Sequence, residues 1–254
     1  FKRPRDLIAL WEARLPHLAA DQVAPTRARI AALWLDLDAR AEALDAAEAL
    51  LRAAPDHPDL LPLLERLALA PESPVARRAI DHLRARYDAA ERTEDLLRVL
   101  GLGLAVAADD TARVGLHDEM ARRYLDDGKQ SEAVAHVAAL VVLEPSSPRH
   151  LAALQHLAEA TGNYTALADA LGQAAERLPP GEEDDGLRLS LLVQAADVRC
   201  DTLGDTVGAS ALYARVLQTP GAPDAVCLPV ARRLASLLRD GRDEPQRLAV
   251  LERL

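Results

Sequence analysis

Four Pro-x-x-Pro signatures punctuate the chain, at Pro55–Pro58, Pro71–Pro74, Pro145–Pro148 and Pro220–Pro223. A proline lacks the backbone N–H and its ring clashes one turn back, so the first of each pair stops a helix. The second suits the opening turn of a new helix, where a missing donor costs nothing. Each signature therefore reads as a helix stop followed by a helix start. Pro71 to Pro145 spans 74 residues and Pro145 to Pro220 spans 75. Four amphipathic segments fit each interval, which makes two helix pairs of about 37 residues each. Pro55 to Pro71 leaves 16 residues. That is room for one unpaired helix near 57–69, where a regular stack should change curvature.

Composition supports the helical reading. Half of the 254 residues are apolar, mostly Ala and Leu, and only 3% are aromatic. Ala and Leu are strong helix formers. The β-branched and aromatic residues that favour strands are too sparse for a sheet protein. Apolar positions recur at i, i+3, i+4 and i+7 in most of fourteen segments. These lie near 5–19, 25–37, 39–54, 57–69, 74–89, 92–107, 110–126, 130–143, 148–161, 163–178, 184–202, 206–218, 223–238 and 244–254. Gly128, Gly162, Gly204 and Gly241 fall at turns inside pairs, where a positive φ often ends a helix. The acidic run Gly181–Gly186 reads as the longest loop, and its carboxylates also favour the N-terminus of the helix that follows.

At this level of detail the chain resembles the tetratricopeptide family. Met120, Ala121, Tyr124, Gly128, Ala133, Val137, Leu140 and Pro145 fall at the spacing of the unit's large, small, aromatic, turn-glycine, small, large, small and closing-proline positions. A second unit reads Ile30, Ala31, Trp34, Ala43, Ala47, Leu50 and Pro55, with Arg40 about where the glycine belongs. A third reads Leu154, Gln155, Ala158, Gly162, Leu167, Leu171, Ala174 and Pro179. A fourth is shorter: Leu83, Tyr87, Leu96 and Leu100. A fifth, Ala196, Gly204, Ala209, Tyr213, Val216 and Pro220, needs one extra residue at its turn. The composition is similar to that of Ala/Leu/Arg-rich repeat arrays in large bacterial proteins. The resemblance implies an all-α solenoid of antiparallel helix pairs, a right-handed superhelix of about fourteen helices, forming one domain over 1–254. It also implies that Trp34, Tyr87 and Tyr124 fill the groove to the next helix. Ala121 and Ala133 would let two helices approach closely. HEAT or armadillo arrays are the alternative, with longer units.

The resemblance further implies a non-catalytic scaffold for protein or peptide partners. The family's register places Arg78, Asp81, Asp88, Asp118, Arg122, Arg149, His156 and Glu159 on the exposed inner face. Some members clamp a C-terminal carboxylate with paired Asn and Lys. Asn163 is the only Asn here, so that clamp is absent on inventory alone. The alternative reading is the structural arm of a larger multidomain sensor or enzyme. The chain starts at Phe1 and stops inside a helix-like run, which reads as part of a longer protein.

The search for chemistry finds no catalytic, cofactor-binding or metal-binding constellation. The seven histidines form no His-x-x-x-His pair and none stands at zinc spacing from a cysteine. His117 falls at an aromatic position of its unit and reads as packing. His150 and His156 lie six residues apart and do not face each other squarely. Gly101 and Gly103 follow no strand, so they read as close helix packing rather than a dinucleotide loop. Cys200 and Cys227 give no disulfide framework. A net charge of −10 lacks the basic face that nucleic acid requires. No apolar run reaches a membrane-spanning length of roughly 20 residues, and no signal peptide is visible, so a cytoplasmic location is expected.

Overall fold

The computed structural model describes residues 3–69, 74–179 and 181–238. Pro71, Gly241 and the expected helix at 244–254 lie outside those residues. Among the described residues there are thirteen α-helices and no strand. They are α1 (Pro4–Arg14), α2 (Ala20–Asp36), α3 (Arg40–Ala53), α4 (Leu60–Ala68), α5 (Pro74–Ala89), α6 (Thr93–Val106) and α7 (Asp110–Asp126). After them come α8 (Gln130–Leu143), α9 (Pro148–Thr161), α10 (Tyr164–Arg177), α11 (Glu182–Asp197), α12 (Thr206–Gln218) and α13 (Asp224–Leu237). No helix of the described residues is long and apolar enough to cross a membrane.

The chain divides into two compact units, residues 1–116 and 117–254. In the first, α2 and α3 form a pair, α4 packs alone between α3 and α5, and α5 pairs with α6. The unpaired helix expected near 57–69 is α4. In the second, packing runs from α8 through α9 and α10 to α11, α12 and α13. Short turns reverse the chain, so partners are antiparallel. Each unit is thus an all-α run of stacked helix pairs, as in an α-solenoid.

The turns explain the register. In four units a residue with positive φ stands eight places after the head of the apolar set. It is Asp38 after Ile30, Glu91 after Leu83, Gly128 after Met120 and Gly162 after Leu154; in the fifth unit it is Gly204, eight places after the small residue Ala196 where Ala31 and Ala121 stand seven before theirs. This left-handed residue closes the first helix of each pair. Arg40 is therefore not the turn residue, contrary to expectation. It opens α3, and its Nε donates to Asp38 at 2.8 Å. The extra residue of the fifth unit goes into a π-helical turn, Val198–Thr202, closed by the Leu203 N–H donating to the Val198 carbonyl at 3.1 Å. A single π turn absorbs one inserted residue without breaking the helix.

Several boundaries differ from the sequence expectation, and the first helix, expected to reach 19, ends at Arg14. Helix α2 starts at Ala20, with Pro25 inside it, and α13 carries Pro229 at the same sixth position. Each proline removes one backbone bond near the helix start, which burial further along the helix offsets. Pro148 and Pro74 do open their helices, whereas Pro58 stays in the turn before α4. The acidic run is not a loop either: α11 begins at Glu182, next to Gly181.

The cores are built mainly from Leu and Ala. Leu44, Leu50, Leu60, Leu64, Leu83 and Leu100 are fully buried in residues 1–116, and Leu154, Leu171, Leu192 and Tyr213 in residues 117–254. Each buried leucine contributes about 1.5–3 kcal/mol. Ala121 and Ala133 are both buried, as the close approach of two helices requires. Of the two paired glycines, only Gly103 is packed: a Cβ there would meet the Leu116 Cδ2 at 3.3 Å, whereas one at Gly101 would meet nothing.

Candidate interaction surface

Arginine supplies most of the basic charge, and the structure shows where it goes. In residues 1–116, Arg66 pairs with Asp36 at 3.1 Å, Arg78 with Glu48 at 2.7 Å and Arg86 with Asp56 at 3.0 Å. Each pair spans 30 residues, from one helix pair to the element stacked on it. In residues 117–254, Arg199 bridges Asp169 and Asp205, and Arg215 holds Glu176 at 3.0 Å. Exposed pairs of this kind contribute only about 0–1 kcal/mol each. They fix registry more than they add stability.

Two buried tyrosines anchor a stronger device. Tyr87 on α5 donates to Glu65 on α4 at 2.6 Å, and Arg98 on α6 donates to the same Glu65 oxygen at 2.5 Å. Tyr213 on α12 donates to Asp197 of α11 at 2.5 Å, and Arg233 on α13 reaches both groups. In each case the middle helix carries tyrosine, the preceding helix a carboxylate and the following helix arginine. Burial and the neighbouring Glu65 push the Tyr87 phenol up to about 12. Burial works against the Glu65 carboxylate, but the bonds from Tyr87 and Arg98 outweigh it and hold the acid below its ordinary range.

The residues expected on the inner face are exposed, with Asp118 half-exposed. Arg78, Asp81 and Asp88 belong to residues 1–116, and Asp118, Arg122, Arg149, His156 and Glu159 to residues 117–254. Arg78 is engaged by Glu48, which also meets His82 Nε2 at 3.0 Å. Asp81 stands 4.0 Å from Arg84 and lines a cleft of about 280 Å³ with Ile80, Gly103 and Leu116. Asp118 and Arg149 approach to 3.7 Å. Asp88 is exposed. Among the described residues, Arg122, His156 and Glu159 are exposed and make no intramolecular ion pair or hydrogen bond. Asn163 serves the fold, because its side chain accepts from the Ala166 N–H at 3.2 Å and caps α10.

The three equivalent aromatics have different fates. Tyr87 is buried, as expected. Trp34 is only half-buried and lines a cleft of about 350 Å³ with Glu12, Leu15, Arg27, Ile30 and Glu42. Tyr124 is also half-buried and stacks on His136, with ring centroids 5.5 Å apart. Trp34 and Tyr124 are therefore not fully buried, in contrast to Tyr87, which α4 and α6 meet at its hydroxyl.

One constellation escaped sequence reasoning. His117 on α7 and His136 on α8 meet with Nδ1 atoms 3.1 Å apart. Nineteen residues separate them, and only the antiparallel register brings them together. The turn at Gly128 was legible in the sequence, but the facing of the two rings across it was not. His150, by contrast, is buried alone, 3.3 Å from Glu144.

Each unit is an all-α stack of helix pairs, the architecture that the tetratricopeptide resemblance implies. No family profile matches the sequence, and no curated protein matches it. Solved structures similar to it include the TPR domain of P58(IPK), at 12% identity and a TM-score of 0.30. That match covers 91% of this chain, which spans 63% of the length of the P58(IPK) chain. A tetratricopeptide repeat protein from Parabacteroides merdae is similar at 14% identity, with a TM-score of 0.28, over 91% of this chain and 98% of the other. The assignment rests on the helix-pair register itself.

Proposed function

We propose that this chain holds partner proteins or peptides on the exposed faces of its helix pairs and does no chemistry of its own. The observation that carries this reading is the unsatisfied polar row Arg122, His156 and Glu159, presented on rigid first helices of successive pairs. Exposed charged groups held on rigid elements, with no internal partner, are suited to pairing with another chain. Many of the other charged residues, such as Arg66, Arg78, Arg86, Arg199 and Arg215, are already paired with carboxylates of other elements, which leaves the row as the surface open to a partner. Partner identity follows the mixed sign of the row: a segment carrying both charges in alternation.

Lysine-directed crosslinking is unsuited here, because Lys2 and Lys129 are the only lysines. A photocrosslinking amino acid placed at Arg122 or Glu159, used in the native source, tests the reading directly. A partner should crosslink from both positions and be lost from a doubly charge-reversed Arg122→Glu, Glu159→Arg variant that still folds. Crosslinks from a control position on the opposite helix face, with none from 122 or 159, would overturn it.

A further inference from the structure

We propose that His117 and His136 form a two-imidazole site for a divalent transition-metal ion of borderline softness, such as zinc, nickel or copper. The argument starts from distance. Imidazole nitrogens bind zinc at roughly 2.0–2.1 Å, so two cis ligands on one ion stand about 2.8–3.4 Å apart between square and tetrahedral angles. The Nδ1 atoms of His117 and His136 are 3.1 Å apart. Their rings are tilted by 43°, with centroids at 5.4 Å. The spacing of the two nitrogens thus already lies in the range that one ion requires.

The support around the pair is that of a positioned site. Both residues sit on regular helices, α7 and α8, and Ala121 and Ala133 of those helices are buried in one core cluster. Tyr124 stacks on His136 at an interplanar angle of 12° and limits rotation of that ring. Both imidazoles are half-buried, so solvent still reaches them. Burial holds both below the usual imidazole range, His117 further affected by His136. Among the described residues no third His, Cys, Asp or Glu joins them. Water completes the coordination sphere, and the ion stays accessible. Imidazole ligands suit zinc, copper and nickel, with copper favoured by intrinsic affinity.

The proton balance is simple. In the metal-free pair one Nδ1–H donates to the other Nδ1. Binding requires that proton to move to Nε2 of the same ring through solvent, so both Nδ1 atoms face the ion. No net proton is released when both rings start neutral, and no redox step is involved.

Zinc chloride is the probe, because it is redox-silent toward Cys200 and Cys227. Calorimetry on the chain should show one zinc site whose affinity falls by more than about tenfold in His117→Ala and in His136→Gln, a loss at least as large as that from removing a mere supporting residue. His156→Ala should leave it unchanged. Imidazole NMR of the unsubstituted chain guards against variants that fail to fold: one equivalent of zinc should shift the ring signals of His117 and His136 before those of any other histidine. If those rings do not move, or if His136→Gln binds zinc as tightly as the parent, the pair is a hydrogen bond only and the proposal fails.

Discussion

Tyr87 and Tyr124 stand 37 residues apart, at the same place in their helix pairs, and the structure treats them differently. Tyr87 is enclosed by α4 and α6, which bring Glu65 and Arg98 to its hydroxyl. Tyr124 lies half-buried against a histidine pair. The repeat fixes where the aromatic sits, but the neighbouring helices decide what it becomes. One setting is a saturated three-helix clasp. The other leaves polar groups open to solvent and to a ligand. The same contrast appears at the turns. Residues 1–116 hold the left-handed position with Asp38 and Glu91, whereas residues 117–254 hold it with Gly128, Gly162 and Gly204.

The sharpest way to break this comparison is to delete both rings. Tyr87→Ala should destabilise its unit by about 3–5 kcal/mol, the usual cost of removing a buried aromatic. It also leaves Glu65 and Arg98 without the hydroxyl between them. Tyr124→Ala should cost about 1–2 kcal/mol, because part of that ring already faces water. Helical arrays can unfold in parts, so hydrogen exchange resolved by segment is the right measurement, with α4 to α6 read separately from α7 and α8. Equal losses at the two sites would show that the clasp adds nothing to burial.

A pH profile separates the two settings next. The folded-state pKa values of His117 and His136 lie below the ordinary 6.5. Above that value both folded and unfolded chains carry neutral rings, so the pair contributes no pH dependence. Below it the unfolded chain takes up protons that the buried pair resists, and stability falls. Glu65 lies below its ordinary 4.5, so the clasp's contribution is complete above that value and is lost as the pH drops through the folded pKa. Denaturation in the presence of EDTA should therefore show two separate declines. Replacing His117 and His136 by Gln should remove the upper one. Glu65→Gln should shrink the lower one without abolishing it, because Glu48, Asp95 and Asp205 are also held below their ordinary values. An upper decline that survives the double histidine replacement would detach it from this pair.

Much of this architecture was legible in the residues. Prolines at helix starts, the small residues Ala121 and Ala133, and the aromatic at Tyr87 all follow from local rules of helix termination and close packing. What stayed hidden depends on register between segments. The 30-residue ion pairs such as Arg78–Glu48, the Tyr87–Glu65–Arg98 clasp and the His117–His136 contact each join residues from different helices. No spacing within one helix reports them. Asp38 was missed for a different reason. A left-handed turn announces itself by glycine; Asp marks it only weakly, and Glu, as at Glu91, does not mark it at all. The site residues show the same limit: exposure of Arg122 and Glu159 was readable, but the engagement of Arg78 by Glu48 was not.

The turns supply the smallest and cleanest prediction. An L-residue in the left-handed region carries a penalty of roughly 1–2 kcal/mol, and glycine relieves it while adding about 0.5–1 kcal/mol of backbone entropy loss. Glu91→Gly should therefore stabilise residues 1–116 slightly, by about 0.5 kcal/mol. Asp38→Gly should gain less, since it forfeits the Arg40 contact at 2.8 Å. The opposite change, Gly162→Ala, places a Cβ in open space at a φ of +73°, so strain alone acts there and should cost about 1 kcal/mol. Urea midpoints of the three variants give the comparison. Opposite signs for Glu91→Gly and Gly162→Ala establish that both units depend on one turn conformation and differ only in the residue that adopts it. Matching signs would mean that the turn in residues 1–116 is held by contacts beyond its backbone, and the equivalence of the two turns would have to be given up.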